Sequence, residues 1–408
     1  MEVAGRRVSR SRPVQPVDSL ENPDYAEVQG FKRFISIPFR LVLIAAMVCL
    51  VGSSLSAHFR SGKESPGQDS SAETELQKGI ALARSGKFRE AIPYFLGARG
   101  QVRNDYAVNF NLALCYLGTG QYPLAIELLN ELRRSGGENA DVENLLAQAL
   151  LGSRQPKEAV AAFERGARLA GKNEKFYVYI VEACMDNGYY DMGLTVVETG
   201  LRHLPRSPRL TFEHGMLLAE LDLLDEAKRE LQRATELAPG SDVAYIAAAQ
   251  KSLMEGDVAE AVRVAHEGIR KGNRHFMLLA LYGEAIMRSG VEPGTQEFAR
   301  AREALEQAVS DHPSYPSARI WLGKLYLMED RLDDAVAQLN AARELDPRNP
   351  AVYSHLAAAY RQRGDTEHAE EMLAILARLN QEQVERIRSA PGDRKAGYAA
   401  KTRPPVNP

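Results

Sequence analysis

Small residues return at a fixed spacing of 34 along most of this 408-residue chain. When the chain is laid out from Ala72 in rows of 34, two columns stay small through nine rows, once the seventh row is allowed six extra residues. Val181 is the single exception to alanine or glycine. The other members are Gly79, Ala91, Ala113, Ala125, Ala147, Ala159, Gly193, Gly215, Ala227, Ala249, Ala261, Gly283, Ala301, Gly323, Ala335, Ala357 and Ala369. A sustained period of this length predicts stacked helical hairpins.

Each row carries the pattern of two helices. In the second row Leu112 and Tyr116 are one helical turn apart, and Ala125, Leu129 and Leu132 follow at helical spacing after a break. We expect the small residues where the two helices of a hairpin cross, because close backbone approach leaves no room for a larger side chain. One hairpin cannot bury its apolar face alone, whereas stacked hairpins can. The sequence therefore predicts an all-α solenoid.

The columns resemble those of the tetratricopeptide repeat family. The eighth row carries the match in Leu322, Gly323, Tyr326, Ala335, Leu339, Ala342 and Pro347. The resemblance covers residues 72–380 and implies a right-handed α-α superhelix of about nine hairpins. The rows that would hold them are 72–105, 106–139, 140–173, 174–207, 208–241, 242–275, 276–315, 316–349 and 350–380. Departures fall in the fourth row, at Val181 and Gly193, and in the seventh, where residues 291–300 are expected to lengthen the loop between the helices.

In this family the first helices of successive units line the concave face of the superhelix, and the resemblance implies the same groove here. Carried over by register, the groove would present Phe212, Met216, Val243, Ile246, Leu253, Met254, Met277, Met287, Ile320, Leu327 and Met328. Five of the ten methionines of the chain are in this set. Flexible methionine side chains suit adaptable binding of an apolar peptide or helical segment. The competing interpretation is that packing buries these side chains under the neighbouring helix.

The stretch YLGTGQYPLAIELL, residues 116–129, places Gly120 between the two expected helices of its row. The same place in other rows is held by Gly86, Gly188, Gly256, Gly290 and Gly364. Glycine there can adopt the left-handed conformation that closes a helix. A phosphate-binding loop would follow a strand and carry further glycines or a lysine. We therefore interpret this turn as structural.

The N-terminal region differs from the repeats. Residues 1–40 are polar, with arginines and prolines, and predict a disordered tail. Leu41 to Phe59 lacks Lys, Arg, Asp and Glu and predicts a transmembrane anchor, followed by a linker over residues 60–71. A cleaved signal peptide with its apolar region in residues 41–51, and a buried soluble helix, are the alternatives. The upstream arginines favour a cytoplasmic N-terminus, which would put the repeats on the extracytoplasmic side, periplasmic or extracellular, or secrete them after cleavage. Residues 381–408 predict an extension of the last helix as a cap and then a disordered tail.

Composition and motifs exclude several functional classes. The formal net charge of −3 offers no basic excess for nucleic acid. Cys49, Cys115 and Cys184 form no CxxC, and the eight histidines are scattered, so neither a metal site nor another cofactor is expected. Cys115 and Cys184 are expected to be buried thiols. No GxSxG, HExxH or Walker lysine is present, which argues against catalysis.

The expected function is that of a non-catalytic scaffold. It would bind a protein or peptide partner in the concave groove and reach the membrane through its N-terminal helix, while the sequence does not encode the partner's identity. Three alternatives stay open at this point. They are an accessory subunit of an enzyme of secretion or envelope-glycan assembly, a self-assembling structural protein, and a small-molecule-binding protein, which would need a closed polar pocket.

Overall fold

The computed structural model describes residues 69–103, 105–135 and 139–389, and the regular structure within these ranges is α-helical throughout. Eighteen helices follow one another there. They are α1 (Asp69–Arg84), α2 (Phe88–Ala98), α3 (Asp105–Gly118), α4 (Tyr122–Arg134), α5 (Ala140–Gly152), α6 (Pro156–Ala170), α7 (Glu174–Asn187), α8 (Tyr190–His203), α9 (Pro208–Glu220), α10 (Leu224–Leu237), α11 (Asp242–Glu255), α12 (Val258–Arg270), α13 (Phe276–Arg288), α14 (Gln296–Asp311), α15 (Pro316–Met328), α16 (Leu332–Leu345), α17 (Pro350–Gln362) and α18 (Thr366–Ser389).

Each odd-numbered helix packs against the even-numbered helix that follows it, so the described residues form an all-α solenoid of hairpins. Each row of the sequence pattern holds one such pair, with α1 beginning before the first row and α18 continuing to Ser389. The predicted tail 1–40 and anchor 41–59 lie outside the described residues. Among the helices that are described, none combines the length and the apolar character needed to cross a bilayer.

The small columns lie where the two helices of a hairpin cross. A methyl group built on Gly283 would stand 2.5 Å from Leu305 Cγ, on the partner helix of the hairpin. The same construction on Gly323 meets Leu339 Cγ at 2.6 Å. All members of both columns are buried. Close approach of the two helices therefore accounts for the period, because a larger side chain at places such as Gly283 and Gly323 would collide with the partner helix.

The turn inside each hairpin requires a left-handed residue. Gly120 has φ +75°, which supports the structural interpretation of its turn. Three residues that are not glycine occupy the same row place with positive φ, namely Arg154 at 60°, Asp222 at 64° and Asp330 at 58°. The glycine pattern alone did not reveal these three. Aspartate tolerates this conformation because its short polar side chain can bond locally, whereas arginine gains nothing comparable.

The seventh hairpin corrects one expectation. Helix α14 begins at Gln296, and the Thr295 Oγ1 atom accepts a hydrogen bond of 3.3 Å from the Phe298 amide at its start. The connection over residues 289–295 is longer than residues 329–331 of the eighth hairpin, as expected, but residues 296–300 belong to the helix and not to the loop. A side-chain cap supplies an acceptor for one of the unpaired amides at a helix start. The cap at Thr295 therefore favours a start of α14 at Gln296, before the predicted end of the loop at residue 300.

The helices are arranged in two layers. Successive odd-numbered helices pack against one another along the whole array, and each even-numbered helix before the last packs between two odd-numbered ones. Direct contact between successive odd-numbered helices makes their layer the inner side of the curve. Cys115 and Cys184 are fully buried in this layer as free thiols, and burial raises the pKa of both, that of Cys115 to about 12.

Candidate partner-binding surface

The register of each odd-numbered helix defines which side chains line the inside of the curve. In α9 the crossing residue Gly215 faces Leu231 of α10. Successive residues of a helix are turned by about 100° around its axis. The row places that lie about 100–160° around the axis from that crossing are therefore those of Arg209, Glu213, Met216 and Glu220. We call the residues at these four row places on α5 to α15 the inner face.

Most of the residues expected in an exposed apolar groove are buried. Six of them lie only about 40–60° from the crossing, on the side turned toward the neighbouring hairpin. These are Phe212, Ile246, Leu253, Met287, Ile320 and Leu327. Met216 and Met277 lie on the inner face but are buried as well, at 3% and 2% exposure, because successive odd-numbered helices pack directly together. The expectation of exposure is wrong for these eight, and burial by the neighbouring helix is the correct interpretation for them.

Three of the expected groove residues remain accessible. Val243 and Met254 on α11 are half-buried, and Met328 at the end of α15 is 40% exposed. All three belong to the inner face by register. Between them along the array lie Arg288 and Lys324, which are also partly accessible. The accessible part of the inner face on α11 to α15 is thus a mixture of apolar and cationic side chains.

A buried ionic cluster spans α7 and α9 on the inner face. The Arg209 Nη2 atom lies 2.9 Å from Glu182 Oε1, to which it donates a hydrogen bond, and 2.8 Å from Glu213 Oε1. Both glutamate side chains are 4% exposed, and that of Arg209 is 18% exposed. A single guanidinium nitrogen therefore contacts two buried carboxylates. We call Glu182, Arg209 and Glu213 the acidic cluster.

The acidic cluster contains more negative than positive groups. Burial raises the pKa of Glu182 well above its usual range; Arg209 opposes this, and the charges of Glu213 and Asp186 add to it. Burial likewise raises the pKa of Glu213, against the effect of Arg209. Within the described residues the Glu182 Oε2 atom is buried and has no hydrogen-bond partner. A carboxylate oxygen in this position is costly unless a proton or a cation reaches it.

Asp141 on α5 carries the acidic character one hairpin further, and its charge and that of Glu182 both act on Tyr179 of α7. Tyr179 is 4% exposed, and burial, together with the charges of Glu182 and Asp141, raises its pKa to about 12. Asp141 lies on α5, half-buried, and burial raises its pKa as well. The inner face of the third to fifth hairpins is therefore predominantly acidic.

The inner face of α13 and α15 has the opposite character. Trp321, 3% exposed, lies between two cations, with the Lys324 Nζ atom 5.1 Å and the Arg288 Cζ atom 5.7 Å from its ring centroid. Arg288 Nε lies 3.0 Å from Glu284 Oε1, and burial raises the pKa of Glu284 although Arg288, Trp321 and Lys324 lower it. Cation–π contacts hold both cations at the tryptophan. The inner face thus changes from acidic to cationic along the array.

The charged residues of the inner face were missed by sequence reasoning, which selected apolar side chains. A usable signal was present, since Glu182, Glu213 and Glu284 each lie in the middle of a first helix whose central residues are mostly apolar. Long acidic side chains are seldom buried without a partner. In the described ranges no group of three or more histidine, cysteine, aspartate or glutamate residues is arranged to hold a metal ion.

Comparisons with known families agree with the hairpin architecture. One model described as tetratricopeptide repeat matches residues 82–149 and 329–390, and a second model with the same description matches residues 294–350. These matches support tetratricopeptide repeats at both ends of the array.

Two curated relatives share distant similarity. The TPR repeat-containing protein YpiA of Bacillus subtilis is 22% identical over 290 residues, which cover 70% of this chain and 58% of the relative. The BBSome complex member BBS4 homolog of Drosophila melanogaster is 26% identical over 179 residues, 42% of this chain and 36% of the relative. The chain thus matches little more than half of the first relative's length and about a third of the second's. A solved tetratricopeptide repeat protein, TTC0263 of Thermus thermophilus, is 23% identical over 46% of this chain and 99% of its own, with a TM-score of 0.38.

Proposed function

We propose that this protein is a non-catalytic scaffold that binds an extended segment of a partner protein along the inner face of its helical array. The observation that supports this most directly is the accessible strip of mixed chemistry on α11 to α15. It combines Val243, Met254 and Met328 with Arg288 and Lys324. Extended concave surfaces of this kind are how solenoids engage other polypeptides.

The proposed strip differs from an apolar groove in what it can recognise. Met254 and Met328 can adapt to apolar side chains of different shape. Arg288 and Lys324 are held at Trp321, so a cation stands at a fixed place within the strip. An extended segment would meet apolar and charged positions in a set order. This order would fix the orientation of the bound segment as well as contribute to its affinity.

The test is selection of peptides by the purified full-length protein in detergent micelles. The probe is a phage-displayed library of random dodecapeptides, and recovery of phage is compared between wild type and a Met254→Glu/Met328→Glu variant. A matched control, Leu96→Glu/Leu124→Glu, changes two exposed leucines of α2 and α4, in the outer layer, at 48% and 43% exposure.

We expect selected peptides to bind wild type and the outer-layer control, and to lose binding by roughly tenfold or more in the inner-face variant, because charge then occupies apolar contact positions. All three proteins should unfold cooperatively. Failure of wild type to select any peptide, or loss of binding only in the outer-layer control, would contradict the proposal.

We also propose that Leu41 to Phe59 is retained as an anchor and that the array lies on the extracytoplasmic side. The support is the absence of charged residues from this segment and the arginines before it. N-terminal sequencing of the mature protein tests retention, and a mature chain beginning between Gly52 and His58 would contradict it. Protease added to spheroplasts with an intact inner membrane, or to intact cells that have no outer membrane, tests the side, since only an extracytoplasmic array would be cleaved.

A further inference from the structure

The acidic cluster is a place where the folded chain holds two buried carboxyl groups against a single guanidinium. Glu182 and Glu213 both contact the same nitrogen of Arg209. One positive group therefore serves two carboxylates, and Asp186 lies one helical turn beyond Glu182, close enough to act on its charge. Helices α7 and α9 bring these groups together on the inner face.

Glu182 gives the second, independent observation. Its side chain is 4% exposed, its Oε1 atom accepts a hydrogen bond from Arg209, and its Oε2 atom is buried without a hydrogen-bond partner in the described part of the chain. A buried carboxylate with one unsatisfied oxygen costs free energy that a donor from outside would recover. A positively charged donor would in addition stabilise the ionised form of Glu182, which burial opposes.

We propose that the acidic cluster is a subsite for a lysine or arginine side chain of the bound partner segment. The inference rests on the proposed function, because the same inner face receives the segment. Charge complementarity selects this occupant: a neutral donor would satisfy the Glu182 Oε2 atom, whereas a cation would also pair with the carboxyl groups that share the single Arg209 guanidinium. Half-buried Asp186 and Asp141 lie at the accessible edge and would attract the cation before it reaches Glu182.

The arrangement also gives the bound segment a direction. The acidic cluster lies on the fourth and fifth hairpins, whereas Arg288 and Lys324 lie on the seventh and eighth. A segment with a basic residue at one end would fit with that end at α7 and α9. Its remaining residues would follow the mixed strip on α11 to α15.

The experiment uses the dodecapeptide library of the preceding section with three full-length proteins. Glu182→Gln keeps the shape of the side chain but removes its charge. The matched control is Glu143→Gln, which removes a buried, arginine-paired carboxylate of α5 that faces Arg165 on α6 instead of the inner face. Panning is carried out at a temperature at which all three proteins are fully folded.

Wild type and Glu143→Gln should enrich lysine or arginine at one position of the selected peptides, and Glu182→Gln should lose that preference. For one selected basic peptide we expect about a tenfold rise in Kd with Glu182→Gln. The Kd of this peptide should also rise with salt for wild type and much less for Glu182→Gln, a difference that a purely structural role of Glu182 would not produce.

Other outcomes overturn the inference in distinguishable ways. If wild type selects peptides without a basic preference, or if Glu182→Gln keeps the preference, the subsite is wrong while the scaffold function stands. If wild type selects no peptide, the scaffold function itself fails. A dimeric mass that Glu182→Gln abolishes would assign the cluster to a second copy of the chain. The cluster would instead be assigned to the chain's own C-terminal segment if the protein binds library peptides only after the basic residues of that segment are replaced by glutamine. These residues are Arg394, Lys395, Lys401 and Arg403.

Discussion

Arg165 on α6 donates two parallel hydrogen bonds to Glu143 on α5, from Nε to Oε1 and from Nη2 to Oε2, each at 2.9 Å. The Glu143 side chain is 1% exposed, whereas that of Arg165 is 33% exposed. The two partners therefore differ strongly in their exposure to water. If the pair is broken, the guanidinium can turn to water, but the carboxylate stays buried and depends on Arg165 for compensation.

This difference in exposure predicts which of two substitutions destabilises the protein more. Arg165→Met should lower the free energy of unfolding by about 3 kcal/mol, because it leaves an uncompensated buried charge. Glu143→Gln should lower it by about 1 kcal/mol, since the amide still accepts a hydrogen bond and the arginine is hydrated. Urea unfolding followed by circular dichroism measures both. Equal losses would show that the exposure of Arg165 does not decide the outcome.

The close contact where α13 crosses α14 predicts two substitutions that partly compensate for each other's loss of stability. Gly283→Ala places a methyl group 2.5 Å from the present position of Leu305 Cγ, which should destabilise the protein by about 1–3 kcal/mol through overpacking. The equivalent places of the sixth row hold Ala249 and Ala265, so that hairpin already pairs a methyl group with a smaller partner.

The double variant Gly283→Ala/Leu305→Val should therefore lose less than the sum of its two single variants, by about 1 kcal/mol. Urea unfolding of all three proteins gives this coupling. Additive losses would mean that the alanine is accommodated by movement of the helices rather than by Leu305.

Two histidines, the buried His312 and the half-buried His275, predict loss of stability in acid. Burial lowers the pKa of His275 and of His312 from 6.5 to about 4. The folded protein keeps both neutral, whereas the unfolded chain binds protons between these values. Stability should therefore fall as the pH drops from 6.5 to 4, by at most about 1.4 kcal/mol per pH unit for each histidine.

Thermal unfolding between pH 6.5 and 4 measures this slope, and His312→Gln should reduce it. His368→Gln is the control, because the Asp365 hydrogen bond raises the pKa of exposed His368. A raised folded pKa adds stability as the pH falls, so removing His368 should not lessen the acid loss. An unchanged slope in His312→Gln would show that this histidine does not titrate on unfolding.

The sequence pattern predicted the hairpins well because their cause is local. Close approach of two helices demands a small residue at Gly283 and Gly323, and this demand repeats with every unit. The groove was predicted less well because its cause is not local. Whether Met287 or Met254 reaches the inside of the curve depends on how far the next odd-numbered helix covers each one, and both residues are equally apolar.

The acidic cluster was missed for a related reason. Glu182 lies on α7 and Arg209 on α9, so their pairing requires the relative placement of two hairpins. Spacing along the chain predicts that both lie on the same side of their helices, but it does not predict a distance of 2.9 Å or the burial of Glu182. The excess of carboxylate over guanidinium became visible only with the packing.

The register of the inner face is tested by comparing two methionines that the sequence could not separate. Met254 lies five places after the crossing residue of its helix and is half-buried, whereas Met287 lies four places after its own and is 6% exposed. A shift of one place turns the side chain by about 100° around the helix, from the inner face toward the neighbouring hairpin.

Met287→Glu should therefore bury a carboxylate without a partner and lower the free energy of unfolding by on the order of 3 kcal/mol or more. Met254→Glu can keep its charge in water and should change that free energy by less than about 1 kcal/mol. Urea unfolding of both variants decides the matter: similar large losses would mean that Met254 is also core, and similar small losses would mean that Met287 opens to the inside of the curve.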